Sequence, residues 1–276
     1  MKTHGRSVRN APNAHMHAQL PTPPKAEKVD HQVVVHGDDR NDEYFWMRLS
    51  EDQRSAKVPD AHTLRVVDHL KKENAYADVL LAPVKQLRED LFLEMKGRIK
   101  EEDLSVPYRE NGYWYNDRVE QGKEYAVHMR AKANADGSKP EVLVDFINEN
   151  TMAEGHDYFD LGDFEISPDN NLCAYSVDTV SRRQYVLRFR DLRTGAELPD
   201  VITNTSGGGA WADNKTFFYS RKNKTLRDYK IFRHTLGTDE SEDVEVFHEK
   251  DSAFSCDVYR DRSEAFVMIT TGSTLS

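Results

Sequence analysis

Two stretches of this chain carry the same landmarks in the same order. Tyr175 and Ser176 return as Tyr219 and Ser220, Tyr185 returns as Tyr229, and Leu192 returns as Leu236, every pair 44 residues apart. A repeat of about 40–50 residues is the period of four-stranded β-propeller blades, each of which buries its faces only against its neighbours. A third copy begins at Asp261 and continues into Ala265-Phe-Val-Met-Ile269, and the sequence stops at Ser276 before that unit is complete. Propellers avoid exposed strand edges by closing into rings of about four to eight blades, so about three blades do not make a ring. The expected fold is therefore mainly β, an incomplete propeller, and the chain reads as the front part of something larger.

Composition agrees with a soluble chain of modest core. Among 276 residues, 38% are hydrophobic and 31% charged. The net charge of -10 argues against nucleic-acid binding, which needs clustered Lys and Arg to track phosphates. Cys173 and Cys256 lie far apart in different expected blades, so no disulfide framework is read and a reducing compartment is expected. Residues 1–24 contain Lys2, Arg6 and Arg9 but no apolar run that could serve as a signal-peptide core, and no stretch approaches a membrane span. A cytoplasmic location is expected, with residues 1–24 a disordered leader. His4, His15 and His17 in that leader have no Cys or carboxylate at ligand spacing and are not read as a metal site.

Residues 25–104 form an expected N-terminal extension. Gln32-Val-Val-Val-His36 is a short extended run stopped by the turn signal Gly37-Asp-Asp39, and Tyr44-Phe-Trp46 is an aromatic anchor. One helix is expected from an Asp60 N-cap towards Val79, with Leu64, Val67 and Leu70 on one face. A second has Pro83 near its first turn, Val84, Leu87, Leu91, Met95 and Ile99 at helical spacing, and Gly97 weakening its end. These stripes read as packing surfaces, with more apolar surface than the pair can bury alone.

Residues 105–276 change to strand patterning. Asn111-Gly112 and Asp136-Gly137 are turn dipeptides around Tyr113-Trp-Tyr115, Tyr125-Ala-Val-His-Met-Arg130 and Glu141-Val-Leu-Val144, an expected first blade over 111–145. A second is expected from Phe159 to Leu198 and a third from Gly209 to Phe247, with turns at Ser167-Pro-Asp-Asn170 and Asp213-Asn214.

A set of short motifs carries a resemblance. Pro23-Pro24, His36-Gly-Asp38, Arg40, Tyr44, Trp46-Met-Arg48, Glu73-Asn-Ala-Tyr76, Ser105-Val-Pro-Tyr108, Asn111-Gly-Tyr113, Ser181-Arg-Arg-Gln-Tyr185, Asn204-Thr-Ser-Gly207 and His234-Thr-Leu-Gly-Thr238 occur in order. Over residues 23–276 the chain resembles the oligopeptidase B branch of the prolyl oligopeptidase family of serine peptidases. The resemblance implies a two-domain enzyme that hydrolyses short peptides after Arg or Lys without metal or cofactor. It also implies a seven-bladed propeller over a C-terminal α/β-hydrolase domain, against which the N-terminal helices pack. In that family the Ser, Asp and His of the triad and the acidic residues that select Arg or Lys lie in the C-terminal domain, and none of those positions occurs in this sequence.

The residues agree on that point. No G-x-S-x-G nucleophile elbow occurs. Gly207-Gly-Gly209 lacks the Lys-Ser/Thr of a phosphate loop and the spacing of a dinucleotide turn, and is read as a blade-connecting loop. Glu101-Glu-Asp103 is read as a solvated loop, and His31 and His36 as too divergent on an extended segment to share a metal. Ser181-Arg-Arg-Gln184 is a basic connector between blade strands and is assigned no site. No catalytic, substrate-binding or metal residue and no cofactor is assigned. The expected function is the propeller part of an oligopeptidase B-like endopeptidase, inactive alone, whose partners are short basic peptides and a domain or chain supplying the hydrolase part. The alternatives are an inert remnant and a stand-alone binding module whose open blade edge pairs with another strand.

Overall fold

The computed structural model describes residues 21–275, in two compact units that meet between Ile99 and Lys100. Most of the expected leader, with His4, His15 and His17, lies outside the described residues.

The first unit opens with a hairpin, β1 (Gln32–Val35) and β2 (Asp38–Asn41), in which Val35 faces Asp38 and Gln32 faces Asn41. The turn is His36-Gly37, both at positive φ (53° and 85°), the geometry that matches strand twist in two-residue hairpins. Asp38 and Asp39, expected in the turn, are strand residues instead. Helix α1 (Glu51–Ser55) begins with a capping box between Ser50 and Gln53. Helix α2 (Ala61–Leu81) has Asp60 as its N-cap, accepting from the Thr63 amide at 2.7 Å. A tight turn at Ala82–Val84 absorbs Pro83 before α3 (Lys85–Gly97).

The buried face of α2 differs from the expected one. Thr63 and Val66 are its buried residues, whereas Leu64, Leu70 and Val79 are more than half exposed. The sequence stripe followed the largest apolar side chains. The structure instead turns inward the face that meets the aromatic anchor, where His62 Nε2 contacts the Trp46 carbonyl at 2.5 Å and the Arg65 guanidinium lies 4.2 Å from the Trp46 ring. Helix α3 buries nothing: Leu87, Leu91 and Met95 are 56%, 46% and 60% exposed.

The second unit is built from blades. The first comprises β3 (Asp103–Leu104), β4 (Tyr108–Glu110), β5 (Tyr113–Val119), β6 (Ala126–Lys132) and β7 (Val144–Asn148), followed by the single turn α4 (Glu149–Met152). Both β3 and β4 pair with β5, so they are one inner strand broken around Pro107, which has no N–H to offer the ladder. This strand was missing from the expected blade of 111–145.

Next come β8 (Asp160–Ile166), β9 (Leu172–Asp178), β10 (Tyr185–Asp191), β11 (Glu197–Trp211), β12 (Thr216–Lys222), β13 (Asp228–Thr235) and β14 (Val244–His248), in one continuous antiparallel sheet. They amount to two four-stranded blades, because β11 serves both: Glu197–Thr205 pairs with β10 and Thr205–Trp211 with β12. Gly207–Gly209 was expected to be a loop between blades and lies within this strand, in the part that pairs with β12. Glycine is required there for closeness, since a Cβ on Gly209 would sit 2.3 Å from the Phe217 ring and 2.5 Å from the Phe218 carbonyl oxygen. A last hairpin, β15 (Ser255–Arg260) and β16 (Val267–Gly272), contains the third repeat.

The 44-residue repeat has a direct structural counterpart. The amide of Leu192 donates to Asn171 and that of Leu236 to Lys215, both at 2.8 Å. Tyr175 donates its hydroxyl to Glu197 and Tyr219 donates its to Asp243, at 2.9 and 2.7 Å. Apolar packing then joins successive blades. Ile147, Cys173 and Tyr175 form one buried cluster. Leu187, Phe189, Ile202, Trp211 and Phe217 form the largest, with Trp211 and Phe217 edge to face at 5.1 Å. Ala210, Ile231, Cys256 and Val258 form a third.

Candidate functional site

The innermost strands β4, β8, β11 and β15 come together around a cavity of about 490 Å³. That size suits a small ligand or a peptide side chain. Tyr108, Tyr115, Phe164, Trp211 and Tyr259 supply aromatic walls, and Tyr108 stacks on Tyr115 at 5.2 Å. The cavity is also rich in carboxylates. Glu110 comes from β4, Asp163 and Glu165 from β8, and Asp261 and Glu264 from the turn after β15, against the guanidinium groups of Arg260 and Arg262.

Local structure explains why some of these carboxylates are occupied and others are not. Asp261 is consumed by its own turn, accepting from Ser263 and from the Phe266 amide. Glu264 accepts from Asn111 at 3.0 Å, while Arg260 donates to the Glu264 carbonyl at 3.0 and 2.7 Å. Asp163 receives only backbone support, from the Phe164 amide at 2.8 Å. The Glu165 carboxylate has no hydrogen-bond or ion-pair partner among the described residues, although its carbonyl accepts from Trp211 Nε1 at 2.9 Å.

The charge is correspondingly strained. Burial, then the like charges of Asp163 and Glu110, push the Glu165 carboxyl up to about 7, with Arg260 opposing them only in part. The Asp163 carboxyl is also raised, by the low-dielectric walls and then by Asp257. Burial, with Glu110 and Asp117, lifts the Tyr108 hydroxyl to about 12, so it stays a neutral donor. Aromatic faces beside under-compensated carboxylates suit a guanidinium or an ammonium group.

His128 of β6 and His234 of β13 are held by carboxylates rather than by a nucleophile. His128 has both ring nitrogens taken by carboxylates, Asp117 at 2.7 Å and Glu149 at 2.9 Å, and so has His234, by Asp243 at 2.6 Å and Asp200 at 3.1 Å. Burial lowers the affinity of His128 for its proton, and the hydrogen bonds to Glu149 and Asp117 more than reverse this, so its pKa is raised. Burial keeps both cysteines protonated at neutral pH, Cys256 rising to about 11 and Cys173 further still.

The segments weighed in the sequence fall elsewhere. His31 stacks on Phe45 at 3.7 Å and His36 forms the hairpin turn. Asp103 starts β3 and pairs with Lys100 at 2.6 Å. Ser181–Gln184 is gathered around the Asp178 carboxylate. Among the described residues, no group of three His, Cys, Asp or Glu is placed to hold a metal ion, and no helix is long and apolar enough to cross a membrane. Sequence reasoning missed Glu110, Asp163 and Glu165. The available signal was the run Asp160-Leu-Gly-Asp-Phe-Glu-Ile166, acidic residues on a strand that should lie innermost in its blade.

Comparison with known proteins gives concordant matches. The family model for the N-terminal β-propeller domain of prolyl oligopeptidase matches residues 23–276. Dipeptidyl aminopeptidase BI of Pseudoxanthomonas mexicana is 41% identical over 272 residues, covering 92% of this chain and 36% of that protein. Protease 2 of Moraxella lacunata is 26% identical, covering 91% of this chain and 35% of that protein. The structure of oligopeptidase B from Leishmania major superposes with a TM-score of 0.79 at 30% identity, covering 91% of this chain and 36% of that one. The chain thus spans about a third of the length of these relatives.

Proposed function

From the premise that the chain belongs to the prolyl oligopeptidase family, through its N-terminal β-propeller domain, we propose that it is the substrate-admitting part of a serine peptidase that hydrolyses short peptides after Arg or Lys. The observation that carries the basic specificity is the cavity of the inner strands, where, among the described residues, the Asp163 and Glu165 carboxylates have no ion-pair partner and Arg260 offsets the charge on Glu165 only in part. A basic side chain passing there gains charge compensation that an acidic one does not.

Bond cleavage belongs to the α/β-hydrolase domain of the family, supplied by the same polypeptide or by a partner chain. These 276 residues have no nucleophile elbow and are inactive alone. The half-exposed Leu87, Leu91 and Met95 of α3 are the surface that the hydrolase part would cover. A cytoplasmic setting accords with two unpaired, buried thiols.

The test has two parts. The purified 276-residue chain should neither turn over an N-terminally blocked Arg-Arg fluorogenic peptide nor react with a fluorophosphonate. Turnover abolished by a serine-directed inhibitor overturns the claim of inactivity. The native polypeptide, captured from its source cells with an antibody to residues 60–100, should cleave blocked peptides after Arg or Lys. Preference for neutral or acidic residues refutes the specificity.

A second reading is favoured by the relative named a dipeptidyl aminopeptidase. It makes the whole protein release dipeptides from free N-termini. Comparing the same captured polypeptide on blocked and unblocked versions of one peptide separates the readings, since only an endopeptidase accepts the blocked one.

A further inference from the structure

The connector Ser181–Gln184 carries two adjacent arginines, Arg182 and Arg183, on a surface loop where Ser181, Arg183 and Gln184 are exposed. Loop tips of this kind are the usual sites of proteolytic nicking. We propose that Asp178 and Lys222 lock this dibasic segment in a shape that trypsin-like active sites cannot take up, so that the propeller resists cleavage after Arg182 and Arg183.

The lock engages both scissile bonds. Asp178, the last residue of β9, is only 1% exposed. One of its carboxylate oxygens accepts from the Val180 amide at 2.8 Å, and the other accepts from the amides of Arg182 at 2.9 Å and Arg183 at 2.7 Å. The Arg183 amide is the leaving nitrogen for cleavage after Arg182. From the neighbouring blade, Lys222, 9% exposed, donates its ammonium to the Arg183 carbonyl at 2.7 Å. That carbonyl is the one an oxyanion hole must receive for cleavage after Arg183.

The backbone itself is also wrong for a cleft. Ser181 and Arg183 lie at φ of 62° and 54°, left-handed conformations for residues that carry a Cβ, whereas a peptide bound to a peptidase runs extended and pairs along its main chain. Reaching that shape means reversing two backbone torsions and breaking charge-assisted hydrogen bonds to Asp178 and Lys222. Cleavage then follows the population of the locally opened loop. If the protein is the Arg- and Lys-directed peptidase proposed above, the lock also spares it from its own activity.

Limited digestion of the full 276-residue chain by trypsin, read by mass spectrometry, tests the lock without needing any activity of the chain itself. Failure of the peptidase reading therefore leaves this result untouched. In the parent chain, fragments ending at Arg182 or Arg183 should appear more slowly than those ending at the exposed Lys57, which precedes the exposed Val58. Asp178→Asn removes an acceptor for two amides and should raise cleavage at both sites by about tenfold or more. Lys222→Met should raise cleavage after Arg183 more than after Arg182. Circular dichroism at the digestion temperature shows whether each variant is folded, and if Asp178→Asn unfolds, Lys222→Met decides alone. Cutting at Arg182 or Arg183 in the parent chain as fast as at Lys57, or unchanged rates in the folded variants, overturns the proposal.

Discussion

Replacing Glu165 by Gln tests whether the inner cavity stores repulsion. The carboxyl has its pKa raised from 4.5 to about 7, first by burial and then by Asp163 and Glu110. The sign follows from proton linkage: between the ordinary and the raised value the folded chain holds a proton that the unfolded chain has lost, so stability falls as pH rises through that window. At 1.36 kcal/mol per pH unit, the interval from 4.5 to about 7 sets a ceiling of about 3 kcal/mol. Glutamine is close in shape to the protonated acid, and the carboxyl has no partner to lose. Urea unfolding followed by tryptophan fluorescence should therefore find the variant and the parent equally stable near pH 4. Above about pH 8 the variant should be more stable by up to about 3 kcal/mol. Because burial is the largest cause, most of the difference should survive about 1 M salt, which shortens the screening length to roughly 3 Å and suppresses only the part due to neighbouring charges. A difference that does not change with pH, or a variant less stable than the parent at pH 8, refutes the reasoning.

Two further substitutions probe the frame. His234→Leu leaves the Asp200 and Asp243 carboxylates, 3% and 2% exposed, without the ring that bridges them, and should lower unfolding free energy by about 3–5 kcal/mol in the same assay; a loss below about 1 kcal/mol would mean that the Gly237 amide and the Tyr219 hydroxyl suffice for them. Gly209→Ala should cost about 1–3 kcal/mol because its Cβ meets the Phe218 carbonyl, which cannot swing away, whereas Gly208→Ala meets only Asp163 Oδ2 at 3.6 Å. Equal melting temperatures for the two alanine variants would contradict that account.

Legibility in the sequence followed how local each signal was. The Asp60 cap and the Asn111-Gly112 turn, with φ of 43° and 80°, were readable because each is satisfied within a few residues. The break at Pro107 hid the inner strand of the first blade. Pro199 and the three glycines hid β11, whose length makes sense only when both neighbouring blades are present to pair with it. The carboxylates of the candidate site were invisible for a related reason: Glu110, Glu165 and Glu264 are distant in the chain and become neighbours only through packing of blades.

The sequence by itself determined the blade period, the mainly β class and the family, because a repeated unit writes the same short-range requirements each time. Tyr175 and Tyr219 recur because each donates its hydroxyl to a carboxylate near the start of the outer strand of its blade, and Leu192 and Leu236 because each packs against a buried cluster. Tertiary structure decided which face of α2 is buried, why Gly209 must lack a side chain, and where unpaired negative charge accumulates. Those properties depend on distances between strands that the chain brings together from far apart, and on the low dielectric that their packing creates.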